Sequence, residues 1–240
     1  LATNFDMTEE QEMIRETVER FANEVVAPGA RAADEDCKLN EAAWEGMKKL
    51  GLTGIPFDEK WGGAGMDTLS YILAVEEISR VCGSTGLTLA AHTSLGTYPI
   101  YAWGGEALKE QYLPGLCAGE YMGAYGLTEP GAGSDSAGTK TTGVKDGDDY
   151  IINGEKCFIT NGSYAKPFII TVQTDASKGA KGIIAMVIDG ATEGFSVLKG
   201  ETKLGMRGSD WTNLVFQDCR VPAANVLGDP ENGFSTFMKT

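Results

Sequence analysis

The sequence predicts an α+β chain in which an all-helical bundle domain comes first and an all-β barrel or sandwich domain follows. Three observations lead there. Apolar residues recur at helical spacing through the first half. From about residue 123, short β-branched runs take over, separated by turns rich in Gly, Asp and Lys. The 42% apolar content over 240 residues is enough for two cores. The division is 1–122 helical, 123–233 β, and 234–240 as the opening of one more helix.

The helices follow in order. Thr8-Glu9-Glu10-Gln11 fits a capping box, with Gln11 able to reach back to the cap. Ile14, Val18, Phe21 and Val25 then share a face, and Pro28 is expected to close the segment. Residues 41–50 form a second helix, stopped by Gly51. After the loop WGGAGMD, the residues Leu69, Ile72, Leu73, Val75 and Ile78 predict a helix over 68–81. An apolar helix over 85–103 and another over 106–118 complete a bundle joined by short loops.

In the second half, YIINGEKCFIT reads as two strands meeting at Asn153-Gly154, the strongest short hairpin signal. PFIITVQTD, GIIAMVIDG, GFSVLKG and TNLVFQDCRV supply further strands. NGFSTFMKT reads as a first helical turn. Its Phe234, Phe237 and Met238 open an apolar face that nothing in the chain is expected to cover, which favours a longer protein.

Composition narrows the function. A net charge of −14 argues against nucleic acid or an anionic membrane as partner, since both require a basic face. No apolar run approaches the length of a membrane span, and the leading LATNFDMTEEQ lacks the basic and apolar regions of a signal peptide. Cys37, Cys82, Cys117, Cys157 and Cys219 form no CxxC pair and read as reduced core thiols; with a single histidine, a zinc site is not expected. There is neither a G-x-S-x-G elbow nor a phosphate-binding G-x-x-x-x-G-K-[ST] loop. GGAGMD and GAGSDS each lack the third glycine of the dinucleotide fingerprint and sit in no βαβ unit. His92 lies on an apolar helix without an evident carboxylate, so it reads as a core or pocket-lining residue rather than a base.

One stretch stands apart. AYGLTEPGAGSD, residues 124–135, follows helix-like sequence and packs Pro130, three glycines, the Thr128 and Ser134 hydroxyls and two carboxylates into twelve positions. Pro130 restricts itself and Glu129, while Gly131 and Gly133 open backbone conformations closed to other residues. The expectation is a tight, irregular loop rich in donors, of the kind that holds ligands.

This loop resembles the signature of the acyl-CoA dehydrogenases, flavoenzymes that desaturate acyl-CoA thioesters between the α and β carbons. YIINGEKCFITNG and KLGMRGSDWTNLVFQDCRVPAANVLG resemble further blocks of that family, as do LGLTGIPFDEKWGGAGMD and YLPGLCAGEYMGAYGLTEP, in order and across essentially the whole chain. The resemblance implies a helical domain, a middle β domain and a C-terminal four-helix domain, of which this chain holds the first two and the start of the third. It implies FAD as cofactor, with 125–134 wrapping the flavin. Tyr125, Leu127, Thr128, Gly133 and Ser134 are the cofactor residues of that loop, with Leu127 and Thr128 at the pyrimidine edge; Phe158, Ile159 and Thr160 are a second contact. Phe158 stands where many relatives have tryptophan. Ser134 is implied to touch the pantetheine or pyrophosphate part of CoA, and the acyl chain to lie beside Thr88, Ala90, Ala91 and Thr93.

Gly86 stands near the place of an arginine that pairs with glutaryl groups, so a short, neutral acyl chain is implied. Trp211 replaces a small residue common in relatives; it either narrows a cleft or covers the β domain. The family's catalytic glutamate belongs to the C-terminal domain, so no catalytic residue is assigned here. Glu129 is implied to be structural. The resemblance also implies transfer of electrons to an electron-transferring flavoprotein docking on the helical domain, and a homotetramer in the full-length protein. The expected compartment is a bacterial cytoplasm ahead of a mitochondrial matrix. Alternatives on the same scaffold are an enoyl-CoA reductase, an acyl-CoA oxidase, or a non-catalytic acyl-CoA and FAD-binding module.

Overall fold

The computed structural model describes residues 6–240, so the first five residues of the helical domain, and with them part of the leading segment read for targeting features, lie outside the described residues. Helix α1 (Glu9–Phe21) opens with the expected capping box: Thr8 Oγ1 accepts from Gln11 N–H, and Gln11 Oε1 accepts from Thr8 N–H. Pro28 does not end the segment. A π-helical turn, Ala22–Val26, carries the chain into α2 (Ala27–Asp36). Ala27 N–H bonds to Ala22 O, five residues back, so the hydrogen-bond ladder is already re-phased where the proline lacks its donor. The same device recurs later. Helix α5 (Gly83–Ala90), a π turn (Ala91–Thr97) and α6 (Tyr98–Trp103) run on continuously past Pro99. Between them stand α3 (Glu41–Lys49) and α4 (Thr68–Val81), and α7 (Glu106–Cys117) closes the helical half.

The strands are β1 (Met122–Gly126), β2 (Thr142–Asp146), β3 (Asp149–Thr160), β4 (Ala165–Gln173), β5 (Ile183–Asp189), β6 (Phe195–Lys199) and β7 (Trp211–Pro222). They form a single curled sheet of order β1-β4-β2-β3-β7-β6, with β5 branching off β4. β1 runs parallel to β4, and β2 meets β4 through one residue pair, Thr142 and Gln173. The signature loop therefore follows a strand, not a helix, and its first three residues end β1.

Asn153-Gly154 is not a hairpin turn. β3 runs straight through it, and the turn falls at Gly147-Asp148, between the paired residues Asp146 and Asp149. The register against β7 shifts between Ile152 and Gly154, where Asp218 takes a left-handed φ of 49°. Asn153 seals this bulge: its Oδ1 accepts from Asp218 N–H at 2.9 Å and its Nδ2 donates to Asp218 Oδ1 at 3.1 Å.

Val18, Phe21, Trp44, Met47, Ile78 and Leu89 centre the helical core, and Ile152, Phe168, Ile170, Met186, Leu214 and Phe216 the β core. A third cluster joins the halves: Phe57, Ile100, Tyr112 and Leu116 pack with Ile169, Val187, Leu227 and Phe237. Phe237 lies in the short terminal helix α8 (Gly233–Phe237), so the apolar face expected to be bare is partly covered by this chain; Met238 stays exposed. Among the described residues no helix is long and apolar enough to cross a membrane, no group of residues could hold a metal ion, and all five cysteines are free.

Candidate functional site

A cleft of about 200 Å³ lies where the π turn after α5 passes β1 and β3. Its walls are Ala91 and Leu95 from the π turn, Tyr125, Leu127 and Thr128 from β1 and the signature loop, and Phe158, Ile159 and Thr160 from β3. Seven of these are site residues read from the sequence, separated there by tens of positions. Leu95 was missed. Its signal was a position one helical turn beyond Ala91 on the same face.

The remaining site residues stand elsewhere. Gly133 and Ser134 are exposed on the outer limb of the loop and do not line the cleft. Thr88 is fully buried; its hydroxyl donates to Ser84 O and its carbonyl accepts from Asn161 Nδ2, so it serves the packing of α5. Gly86 lies against α4, where any side chain would collide with Ser79. His92 is buried and neutral: Nε2 faces Leu116 O at 3.1 Å, Nδ1 accepts from Gly123 N–H at 3.3 Å, and burial pushes its pKa down to about 4.

Two devices shape the cleft. The first is a bulge in β3. The register against β7 shifts between Lys156 and Ile159, and Phe158 adopts a left-handed φ of 61°. Strand alternation would put residues 156 and 158 on one side. Instead Lys156 is wholly buried and Phe158 is 66% exposed. The bulge thus turns an aromatic ring outward to the cleft, where Trp211 stacks on it at 5.2 Å between centroids. The Trp211 indole N–H donates to Glu201 O, which fixes the second ring.

The second is a buried ion pair beneath the loop. Glu129 N–H and O exchange bonds with Ala132 around Pro130-Gly131, making a tight turn. The Glu129 carboxylate faces inward and accepts from Lys156 Nζ at 2.7 Å, Thr139 Oγ1 at 2.7 Å, Lys140 N–H at 2.7 Å and Thr141 N–H at 3.1 Å. Burial favours its protonated form, but the bonds from Lys156, Thr139 and Lys140 prevail and hold its pKa down to about 2. Burial brings the Lys156 ammonium down to about 8, with Glu129 pulling the other way. No signal in the strand pattern marked Lys156 as buried, because the bulge that decides its direction lies beyond it.

Chemically, the cleft offers apolar and aromatic walls with the hydroxyls of Thr128 and Thr160 among them, and no charged residue lines it. That set suits the face and polar edge of a flat, largely uncharged ring system.

Comparison with known proteins agrees across the chain. The model of the acyl-CoA dehydrogenase N-terminal domain matches residues 8–120, and that of the acyl-CoA dehydrogenase middle domain matches residues 124–219. A probable acyl-CoA dehydrogenase of Bacillus subtilis, YngJ, is 48% identical over 99% of this chain and 63% of its own length. A short-chain specific acyl-CoA dehydrogenase of Clostridium acetobutylicum is 49% identical over 99% of this chain and 62% of its own. The chain thus spans a little over three fifths of the length of these two curated relatives. Among solved structures, a chain from work on the electron transferring flavoprotein of Acidaminococcus fermentans superposes with a TM-score of 0.95 at 42% identity, covering 99% of this chain and 62% of that one. Butyryl-CoA dehydrogenase from Megasphaera elsdenii gives 0.94 at 40% identity, covering 99% and 63%. A Bacillus anthracis acyl-CoA dehydrogenase complexed with FAD gives 0.90 at 34% identity, covering 99% and 40%.

Proposed function

The chain belongs to the acyl-CoA dehydrogenase family, and we propose that it forms the flavin and thioester cleft of an FAD-dependent enzyme that desaturates a short, neutral acyl-CoA. The observation that carries this reading is the cleft itself, in which seven implied contact residues from three separate segments meet around apolar walls and two hydroxyls. FAD, when bound, supplies an acceptor for the hydride equivalent leaving the β-carbon. Phe158, backed by Trp211, would support a ring face, and Thr128 and Thr160 would donate to ring polar atoms. Ala91 and Leu95 would border the acyl group, and Gly133 and Ser134, on the exposed limb, would meet the pyrophosphate or pantetheine portion.

The collision that bars any side chain at Gly86 supports an uncharged acyl chain. No carboxylate lines the cleft among the described residues, and Glu129 is bound to Lys156, so removal of the α-proton is assigned to none of them. The short-chain relative supports the choice of substrate, and the Acidaminococcus likeness supports an electron-transferring flavoprotein as acceptor. The bacterial relatives support a bacterial cytoplasmic setting, and family membership supports a homotetramer.

The test is an anaerobic titration of the FAD-loaded full-length protein with butyryl-CoA, following flavin absorbance. Bleaching of the oxidised band is the expected result. A protein that retains no FAD, or a flavin spectrum indifferent to the thioester, overturns the reading.

A further inference from the structure

We propose that Lys156 is a positioning residue that orients the Leu127–Thr128 peptide, so that its N–H faces the cleft as a fixed donor to the flavin edge. The inference rests on the FAD-binding reading above and deepens it.

Lys156 Nζ lies under the loop with four acceptors: Glu129 Oε1 at 2.7 Å, Thr139 Oγ1 and Thr171 Oγ1 at 2.9 Å, and Leu127 O at 3.3 Å. An ammonium has three protons. The crowding holds Nζ in place without any contact from solvent, since the side chain is wholly buried. The bond to Leu127 O is the one with consequence for the cleft. The peptide units of the described residues are trans, so the N–H of Thr128 points opposite to the Leu127 carbonyl. With that carbonyl turned down to Lys156, the N–H is turned up, away from the ion pair and toward the side where Leu127 and Thr128 border the cleft. The next peptide is fixed as well: Thr128 O accepts from Cys157 N–H at 2.8 Å, and Glu129 N–H is taken by Ala132 O. Both flanking carbonyls are therefore anchored by consecutive residues of β3, and the donor between them cannot rotate away without breaking one anchor.

A positive charge on the carbonyl end also polarises the peptide and strengthens its N–H as a donor. A donor fixed before binding costs little to reorganise when negative charge develops on its partner. The arrangement should favour reduced over oxidised flavin. A purely structural ion pair would stabilise the loop without that preference.

The experiment measures affinity for oxidised FAD and for dithionite-reduced FAD, together with the visible spectrum of the bound flavin, in the full-length protein. Lys156→Met is expected to lower the preference for reduced FAD about tenfold and to shift the flavin absorption band. Because that variant strands a buried carboxylate, the pair Lys156→Met with Glu129→Gln, which removes both charges, gives a second protein expected to fold. Glu129→Gln alone removes the carboxylate that helps keep Lys156 protonated but leaves its Nζ as a donor to Leu127 O, so it should retain more of the preference than Lys156→Met. If Lys156→Met, or the double variant where the single one does not fold, binds both flavin forms with the wild-type preference and spectrum, the positioning role is wrong. If the wild-type protein itself binds no FAD, the cofactor reading fails instead.

Discussion

Gly96 and Gly123 face each other backbone to backbone where the π turn after α5 crosses β1. A methyl group on Gly123 would lie 2.7 Å from Gly96 Cα, and one on Gly96 would collide with the Gly123 backbone. The contact sets how closely Ala91 and Leu95 approach Tyr125 and Leu127, and so sets the width of the cleft. Gly96→Ala is expected to cost about 3 kcal/mol, because no side-chain rearrangement relieves a clash between main chains. Urea unfolding measures it; a loss under about 1 kcal/mol would mean the two segments separate easily.

Phe158 holds a left-handed backbone with an exposed ring, so its conformation answers to the bulge rather than to core packing. Phe158→Gly removes roughly 1–2 kcal/mol of backbone strain and adds roughly 1 kcal/mol of chain entropy to lose on folding. The melting temperature of the apoprotein should stay nearly constant while FAD affinity falls. Thermal melts with and without FAD separate these effects, and a large drop in the apoprotein would show that the ring serves the fold.

Trp211 stacks on Phe158 and is tethered to Glu201 O. Trp211→Leu should cost about 1 kcal/mol for the lost aromatic pair. It should also speed FAD release, because Phe158 then lacks its backing. Stopped-flow flavin release reads this directly; an unchanged rate would assign Trp211 to covering the sheet alone.

Acid should weaken the fold in two successive windows. His92 has a folded pKa of about 4 against an ordinary 6.5, lowered by burial. The unfolded chain takes up a proton first, so the stability it contributes is complete above 6.5 and drains away as pH falls toward 4; its size is about 3 kcal/mol. Glu129, held down to about 2 from 4.5, extends the loss at lower pH. Urea midpoints between pH 7.5 and 4 test this, and His92→Gln should flatten the upper window. An unchanged slope in that variant would place the proton uptake elsewhere.

Much of this was legible in the residues. The capping box at Thr8 and Gln11, the left-handed stop at Gly51 and the helix over 68–81 appear as read, because each depends on neighbours within a few positions. Pro28 misled: a proline ends a helix whose ladder is regular, and here a π turn had already displaced the ladder. Asn153-Gly154 misled because an Asn side chain serves a bulge on the facing strand as readily as a turn. Thr88 and Ala91, three apart on one helical run, differ in fate: the first packs inward and the second borders the cleft.

The sequence alone determined the two-part architecture, the family and the place of an irregular loop at Pro130, since these rest on local signals and on residue order; Gly131 and Gly133, expected to take conformations closed to other residues, have no left-handed φ and have room for a side chain. Only the tertiary structure decided that Lys156 points inward and Phe158 outward, and that the partner of the structural Glu129 is Lys156. Those directions hang on one left-handed residue and on the register of β3 against a strand some fifty positions later, and side-chain alternation cannot be read through a bulge that the chain's own neighbours do not specify.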